Sequence, residues 1–168
     1  MLNTTVAANR ASSGSALALL SGATAFITNT ILAGDGAKTA CSKSSDSTLV
    51  VSATLATDGT CAGARRTTQA ALALSALGDY GGQILSIALL PGSVAIDAGL
   101  TTPCPAVDIR DVERTQGLGC DIGAFESRGF TLAVQSGGVQ SIPPGQMFPK
   151  PLVVGVTPNA AGEPVNGG

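Results

Sequence analysis

The stretch Leu89-Leu90-Pro91-Gly92-Ser93-Val94-Ala95-Ile96-Asp97-Ala98-Gly99 leads through Cys104-Pro105 and Asp108-Ile109-Arg110 to Gly119-Cys120-Asp121-Ile122-Gly123-Ala124-Phe125-Glu126. Pro91-Gly92, Asp97-Ala98-Gly99, Gly117-Leu118-Gly119 and Asp121-Ile122-Gly123 are turn sequences at short intervals. Glycine supplies left-handed backbone in such turns, and Asp accepts nearby backbone N–H groups. The segment therefore reads as compact and turn-rich, with little long regular structure.

Upstream, Asp79-Tyr80-Gly81-Gly82 follows Leu74 and Leu77, and Thr57-Asp58-Gly59-Thr60-Cys61 forms an earlier cysteine-bounded turn. With these residues, the chain from 79 to 126 resembles the closing segment of the parallel β-helix domains of bacterial cell-surface and secreted proteins that end in varied surface anchors. The likeness fades toward the N-terminus. It departs at Tyr80, where relatives usually carry Asn, and at Ile87, where they usually carry His. The resemblance implies an all-β fold, a right-handed parallel β-helix fragment, with the turn-rich segment as a cap over the last open edge of the stack. It also implies an irregular conformation for residues 67–77, although their Ala and Leu spacing by itself suits a helix. Ligand and reaction stay undefined by it.

Self-comparison supports a repeating architecture. Asn3-Thr4-Thr5-Val6-Ala7 matches Asn29-Thr30-Ile31-Leu32-Ala33, followed by Asn9 against Asp35 and Ala11 against Ala37, an offset of 26 residues. A period of this size, with short strands and a turn, fits a solenoid coil that must stack on the next to bury its apolar face. Asn at one place in successive coils can hydrogen-bond up the stack and tolerates left-handed backbone. Residues 48–55, Thr-Leu-Val-Val-Ser-Ala-Thr-Leu, read as a strand, as do residues 84–90. A signal-peptide reading of residues 1–25 is disfavoured because the run Ala16-Leu17-Ala18-Leu19-Leu20 is short and interrupted.

After Glu126 the character changes. Residues 129–134 read as a strand, and the segment from Gln140 through Val165 resembles the opening strands of bacterial immunoglobulin-like surface repeats, covering under half of one. The expected division is residues 1–128 as coils and cap, and residues 129–168 as a truncated immunoglobulin-like segment or extended tail. On this reading the chain is a fragment that opens inside a solenoid and ends inside a second domain. Its first coil and its C-terminal strands are then candidates for self-association.

Composition narrows the chemistry. The 168 residues are 44% hydrophobic but only 3% aromatic and 12% charged, with 22 Gly. The core is therefore layered from Ala, Val, Leu and Ile, and surface polarity comes from hydroxyls and amides. A formal charge of −2 and no basic cluster beyond Arg65-Arg66 argue against nucleic-acid binding. No stretch has the length and apolarity of a membrane helix. Four cysteines allow three pairings. The expected bridges join nearest neighbours, Cys41 with Cys61 and Cys104 with Cys120, and imply an oxidising, extracellular or cell-surface setting.

Without histidine, a Ser-His-carboxylate relay cannot form. Asp97, Asp108, Asp111, Glu113, Asp121 and Glu126 crowd into about thirty residues. All but Glu113 are carried as weak catalytic candidates, since two carboxylates about 5–9 Å apart suffice for glycoside hydrolysis. The heavier reading is structural. Asp97 and Asp121 precede turns, and Asp108, Arg110, Asp111, Glu113 and Arg114 can pair among themselves. No cofactor is expected, although Asp and carbonyl oxygens could hold calcium. Thr-rich residues 48–60 lack the regular Thr-x-Thr repeat on successive coils that an ice-binding ladder needs. The expected function is a non-enzymatic, extracellular, adhesin-like β-helix segment, a stalk or a contact face for carbohydrate or protein. The alternative is a polysaccharide-active hydrolase or lyase.

Overall fold

The computed structural model describes residues 1–36 and 39–168; the expected match of Ala11 with Ala37 lies outside them. In chain order the elements are β1 (Thr5–Val6), β2 (Leu17–Leu19), β3 (Thr24–Thr28), β4 (Ile31–Leu32), β5 (Cys41–Lys43), β6 (Thr48–Ser52) and β7 (Leu55–Ala56). They continue with β8 (Arg65–Arg66), α1 (Gln69–Leu72), β9 (Leu74–Gly78), β10 (Ser86–Leu89), β11 (Phe130–Ser136) and β12 (Val153–Pro158). The fold is all-β, with one helical turn among the described residues, and its sheets are small. β2 takes up Leu17–Leu19 of the apolar run considered as a signal sequence.

Strands 1 to 8 form three parallel ladders: β1-β4-β7-β8, β2-β5 and β3-β6. Thr5 pairs with Ile31 and Ile31 with Leu55, so the repeat found in the sequence falls on paired strands. A corner repeats ahead of each strand of the four-stranded ladder. Asn3, Asn29, Ala53 and Gly63, each two residues before its strand, have φ of 42°, 47°, 38° and 86°. Such left-handed backbone is strained for most L-residues, least so for Gly and Asn. The residue after the corner closes it in the first three cases. Thr4, Thr30 and Thr54 donate their hydroxyls to the carbonyls of Leu2, Thr28 and Ser52 at 3.0, 2.8 and 2.9 Å.

Adjacent residues on a strand face opposite ways, and this ladder buries both sides. Leu32 and Ala56 join Ile27, Ala40, Cys41 and Cys61 in one apolar cluster. Ile31 and Leu55 point the other way, into a cluster with Leu72, Ala88, Leu89, Ile122 and Phe125. Each fully buried Ile or Leu contributes roughly 1.5–3 kcal/mol. The first cluster is closed by the Cys41–Cys61 disulfide, whose Cα atoms are 5.0 Å apart. Asp58 adds a link across the same loop, accepting the Ala40 N–H at 2.8 Å.

The second cluster corrects the expected position of the cap. The turn-rich segment is not confined to the last strand, where Arg65 and Arg66 stay exposed. It lies along the side of the ladder and touches strand after strand. Asn3 Nδ2 donates to the Asp121 carbonyl at 3.0 Å, and the Ala124 N–H to Thr5 Oγ1 at 3.0 Å. Further along, the Gly123 N–H donates to the Asn29 carbonyl at 2.9 Å and Arg65 to the Val94 carbonyl at 3.1 Å. The physical reason is the two-sided burial: Ile31 and Leu55 need an apolar cover, and Ile122 and Phe125 supply it.

Residues 67–77 are neither a full helix nor wholly irregular. Thr68 caps the single turn α1 by accepting the Ala71 N–H, left-handed Ala73 ends it, and β9 follows, antiparallel to β10. The tail is not an unpaired extension: β11 and β12 pair with each other in an antiparallel hairpin. Glu163, beyond the hairpin, is buried against the body, where it pairs with Arg128 at 3.0 Å and lies 3.6 Å from Arg110.

Candidate functional site

Four of the five carboxylates singled out from the sequence converge in the flanking segment; Asp111 does not join them. Asp108 is buried and saturated. Its Oδ1 accepts the N–H groups of Arg110 at 2.7 Å and Val112 at 3.1 Å, while Oδ2 accepts Arg110 Nε at 2.9 Å, Nη2 at 2.8 Å and the Glu126 N–H at 2.9 Å. This bidentate fork fixes the guanidinium plane, and the charge-assisted bonds are the strong kind. The same guanidinium stands 3.4 Å over the centre of the Phe125 ring, a cation–π contact, and donates to the Glu126 carbonyl.

Glu126 pairs with Arg114 at 2.8 Å. It also accepts the backbone N–H groups of Gln116 at 3.1 Å and Asp121 at 2.9 Å. Asp121 accepts the N–H of Asp97 on one oxygen at 2.7 Å and that of Ser127 on the other at 2.6 Å. Asp97 in turn accepts the Gly119 N–H at 3.0 Å. Both turn aspartates thus bind backbone, as the turn sequences imply. Asp111 is exposed, with a left-handed φ of 64°, and its own N–H donates to the Asp108 carbonyl.

Burial pushes the Asp121 carboxyl up to about 7, opposed by its two backbone N–H donors and reinforced by the neighbouring charges of Glu126 and Asp97. Burial likewise raises Glu126, against the N–H groups of Asp121 and Gln116 and the Arg114 charge. A carboxyl poised near neutrality suits acid–base work, but here access is missing. Asp121 is 1% exposed and Glu126 0%, and every oxygen of the pair already accepts a hydrogen bond. Asp121 and Glu126 hold chain segments together, with every carboxylate oxygen of the two committed to the protein itself. Among the described residues no group of three or more His, Cys, Asp or Glu is arranged to share a metal ion.

A second polar element, the Asn pair, ties this cluster to the ladders. Asn29 Nδ2 donates to Asn3 Oδ1 at 3.2 Å and to the Leu100 carbonyl at 2.9 Å, while its Oδ1 accepts the Leu100 N–H at 2.8 Å. The Cys104–Cys120 disulfide, Cα atoms 6.5 Å apart, follows directly on the segment that Asn29 grips, and Asn29 Nδ2 lies 3.9 Å from Cys120 Sγ. Sequence reasoning placed Asn in the stack but did not assign it the flanking loop. It also missed Glu163 and the ring of Phe125 as partners of Arg110, for which no local pattern exists. No helix among the described residues is long and apolar enough to cross a membrane. Comparison with protein-family models, curated proteins and solved structures finds no match to this chain.

Proposed function

We propose that the chain is a segment of a right-handed parallel β-helix from an extracellular, adhesin-like bacterial surface protein, in which it acts as a non-enzymatic scaffold. The observation that carries this reading is the corner that recurs, left-handed and mostly Thr-closed, ahead of strands paired in parallel. Successive passes of one chain through the same corner are what a stacked coil requires. Residues 1–128 form the coils and the segment against them, and residues 129–168 the opening strands of an immunoglobulin-like repeat, for which the β11–β12 hairpin is a fitting start. Two disulfides favour an oxidising compartment.

The saturated carboxylates favour scaffold over catalysis. A glycan panel scored for reducing-sugar release tests this, with wild type beside Asp108→Asn and Asp121→Asn. The expected result is no turnover, with both variants melting at lower temperature. Turnover that either variant abolishes while the fold stays intact would overturn the reading in favour of a polysaccharide-active enzyme.

A further inference from the structure

The β3–β6 ladder turns one face inward and leaves the other bare. Ile27 is buried, and Ala25 and Leu49 pack against the same apolar cluster. Alternation along each strand then sends residues 24, 26 and 28 of β3 and residues 48, 50 and 52 of β6 to the outside. The parallel register sets them side by side, Thr24 with Thr48, Phe26 with Val50 and Thr28 with Ser52. The outer face therefore carries three ranks: hydroxyl, apolar, hydroxyl. Phe26 is 66% exposed and Val50 44%. Thr24, Thr48 and Ser52 are exposed and Thr28 partly so, and none of the four hydroxyls is hydrogen-bonded to another described residue. Every group on the face is within reach of a ligand from solvent.

Size and charge say what fits it. With strands about 4.8 Å apart and outward positions about 6.6 Å apart along each, the six side chains cover roughly 150 Å². A stable protein interface takes about 800 Å² from each partner, so this face is too small to hold a second copy or another protein by itself. None of the six side chains is charged, and an ionic ligand would leave its counter-charge unmet. A neutral ligand with an apolar strip between two rows of hydroxyls matches the ranks. A β-linked glycan chain with equatorial substituents is built in that order: axial C–H groups cover its ring faces, and hydroxyls line both edges. Aromatic and aliphatic side chains take the C–H groups, and threonine and serine exchange hydrogen bonds with the hydroxyls.

We infer that the outer face of β3 and β6 binds a neutral, β-linked glycan chain laid across the strands, its ring C–H groups on Phe26 and Val50. Its edge hydroxyls meet Thr24 and Thr48 on one side and Thr28 and Ser52 on the other. The inference rests on the scaffold reading for the stacked ladder and gives that scaffold a carbohydrate contact.

Saturation-transfer NMR on the whole chain tests it, with cellohexaose as the neutral β-linked probe, maltohexaose as its α-linked counterpart and hexagalacturonate as the anionic one. Transfer to the ring C–H protons of cellohexaose is expected, at least fivefold weaker after Phe26→Thr, which removes the ring and keeps a good strand former. Thr24→Val with Thr28→Val preserves shape and removes two hydroxyls, and is expected to halve the transfer or more. Leu118→Ser, at a fully exposed apolar residue in a distant turn, is expected to leave it unchanged. No transfer to cellohexaose, transfer untouched by Phe26→Thr, equal loss in Leu118→Ser, or transfer as strong to maltohexaose or hexagalacturonate would each overturn the site. Hydrogen exchange on the same samples separates this from failure of the scaffold reading: protected β3 and β6 amides without transfer remove the site alone, whereas freely exchanging ones remove the ladder as well.

Discussion

Residues 1–66 and residues 67–128 reach order by opposite means. The first region repeats itself: short parallel strands, one corner conformation used four times, hydroxyls that close three of those corners, and an apolar cluster that needs no charge. The second region has one antiparallel strand pair and many turns, and is knit by buried ions, Arg110 with Asp108 and Arg114 with Glu126. Repetition satisfies backbone groups by pairing them with the next strand. Where the chain stops repeating, backbone N–H groups find carboxylates instead, seven of them on Asp108, Glu126 and Asp121. The teaching is that a strand-poor segment can be rigid if its acids are spent on its own backbone.

Removing a charge should separate the regions most sharply. Arg110→Ala leaves Asp108 buried and partly unpaired and strips Phe125 of its cation, a loss of about 3–5 kcal/mol by the usual cost of breaking a buried pair. Hydrogen exchange should show the flank opening while the amides of β3 and β6 stay protected. Equal loss in both regions would show that they fold as one unit. Next in size, Cys104→Ser with Cys120→Ser should destabilise by about 3 kcal/mol, the loop-closure value for bridges of this span. Reduction with a thiol reagent followed by limited proteolysis should cut first between the two positions.

Asn29→Ala probes the seam. It leaves the Leu100 N–H without its acceptor and puts Ala at a left-handed corner, for about 2 kcal/mol in urea unfolding. Acidity acts on the charged region with a definite sign. The Asp121 carboxyl sits near 7 in the folded chain against an ordinary 3.8. Its contribution to stability is therefore fully present below about pH 4 and is lost as pH rises through 7. Thermal melts should give a higher Tm at pH 5 than at pH 8, and Asp121→Asn should flatten the difference. The smallest effect belongs to the regular region: Ala53→Asn restores the corner residue of Asn3 and Asn29 and should raise stability by about 0.5–1 kcal/mol.

That last position also marks how far the sequence could be read. Asn3-Thr4 and Asn29-Thr30 gave the repeat away because both corner residues survive. The third copy, Ala53-Thr54-Leu55-Ala56, keeps the Thr but loses the Asn, and the fourth keeps only Gly63 at the corner, after a shorter interval. A search for Thr one place after a left-handed residue would have found three of the four. The nearest-neighbour cysteine pairs were legible from spacing. The backbone-binding roles of Asp97 and Asp121 were legible from their turns. Which side of the ladder the flank covers was not, because Ile31 and Leu32 are both apolar and only the partner decides which face each one takes. Glu163 was illegible for a simpler reason: its arginines lie 35 or more residues away in the chain.

The central claim is that residues 1–66 stack in parallel register and that the charged segment lies along their side. Scalar couplings across hydrogen bonds report those pairings one at a time in solution. Correlations are expected from the Ile31 N–H to the Thr4 carbonyl, Leu55 to Thr30, Arg65 to Thr54, and Gly123 to Asn29. Finding the first three without the last would contradict the lateral placement of the flank; finding none of the first three would contradict the stacked ladders themselves.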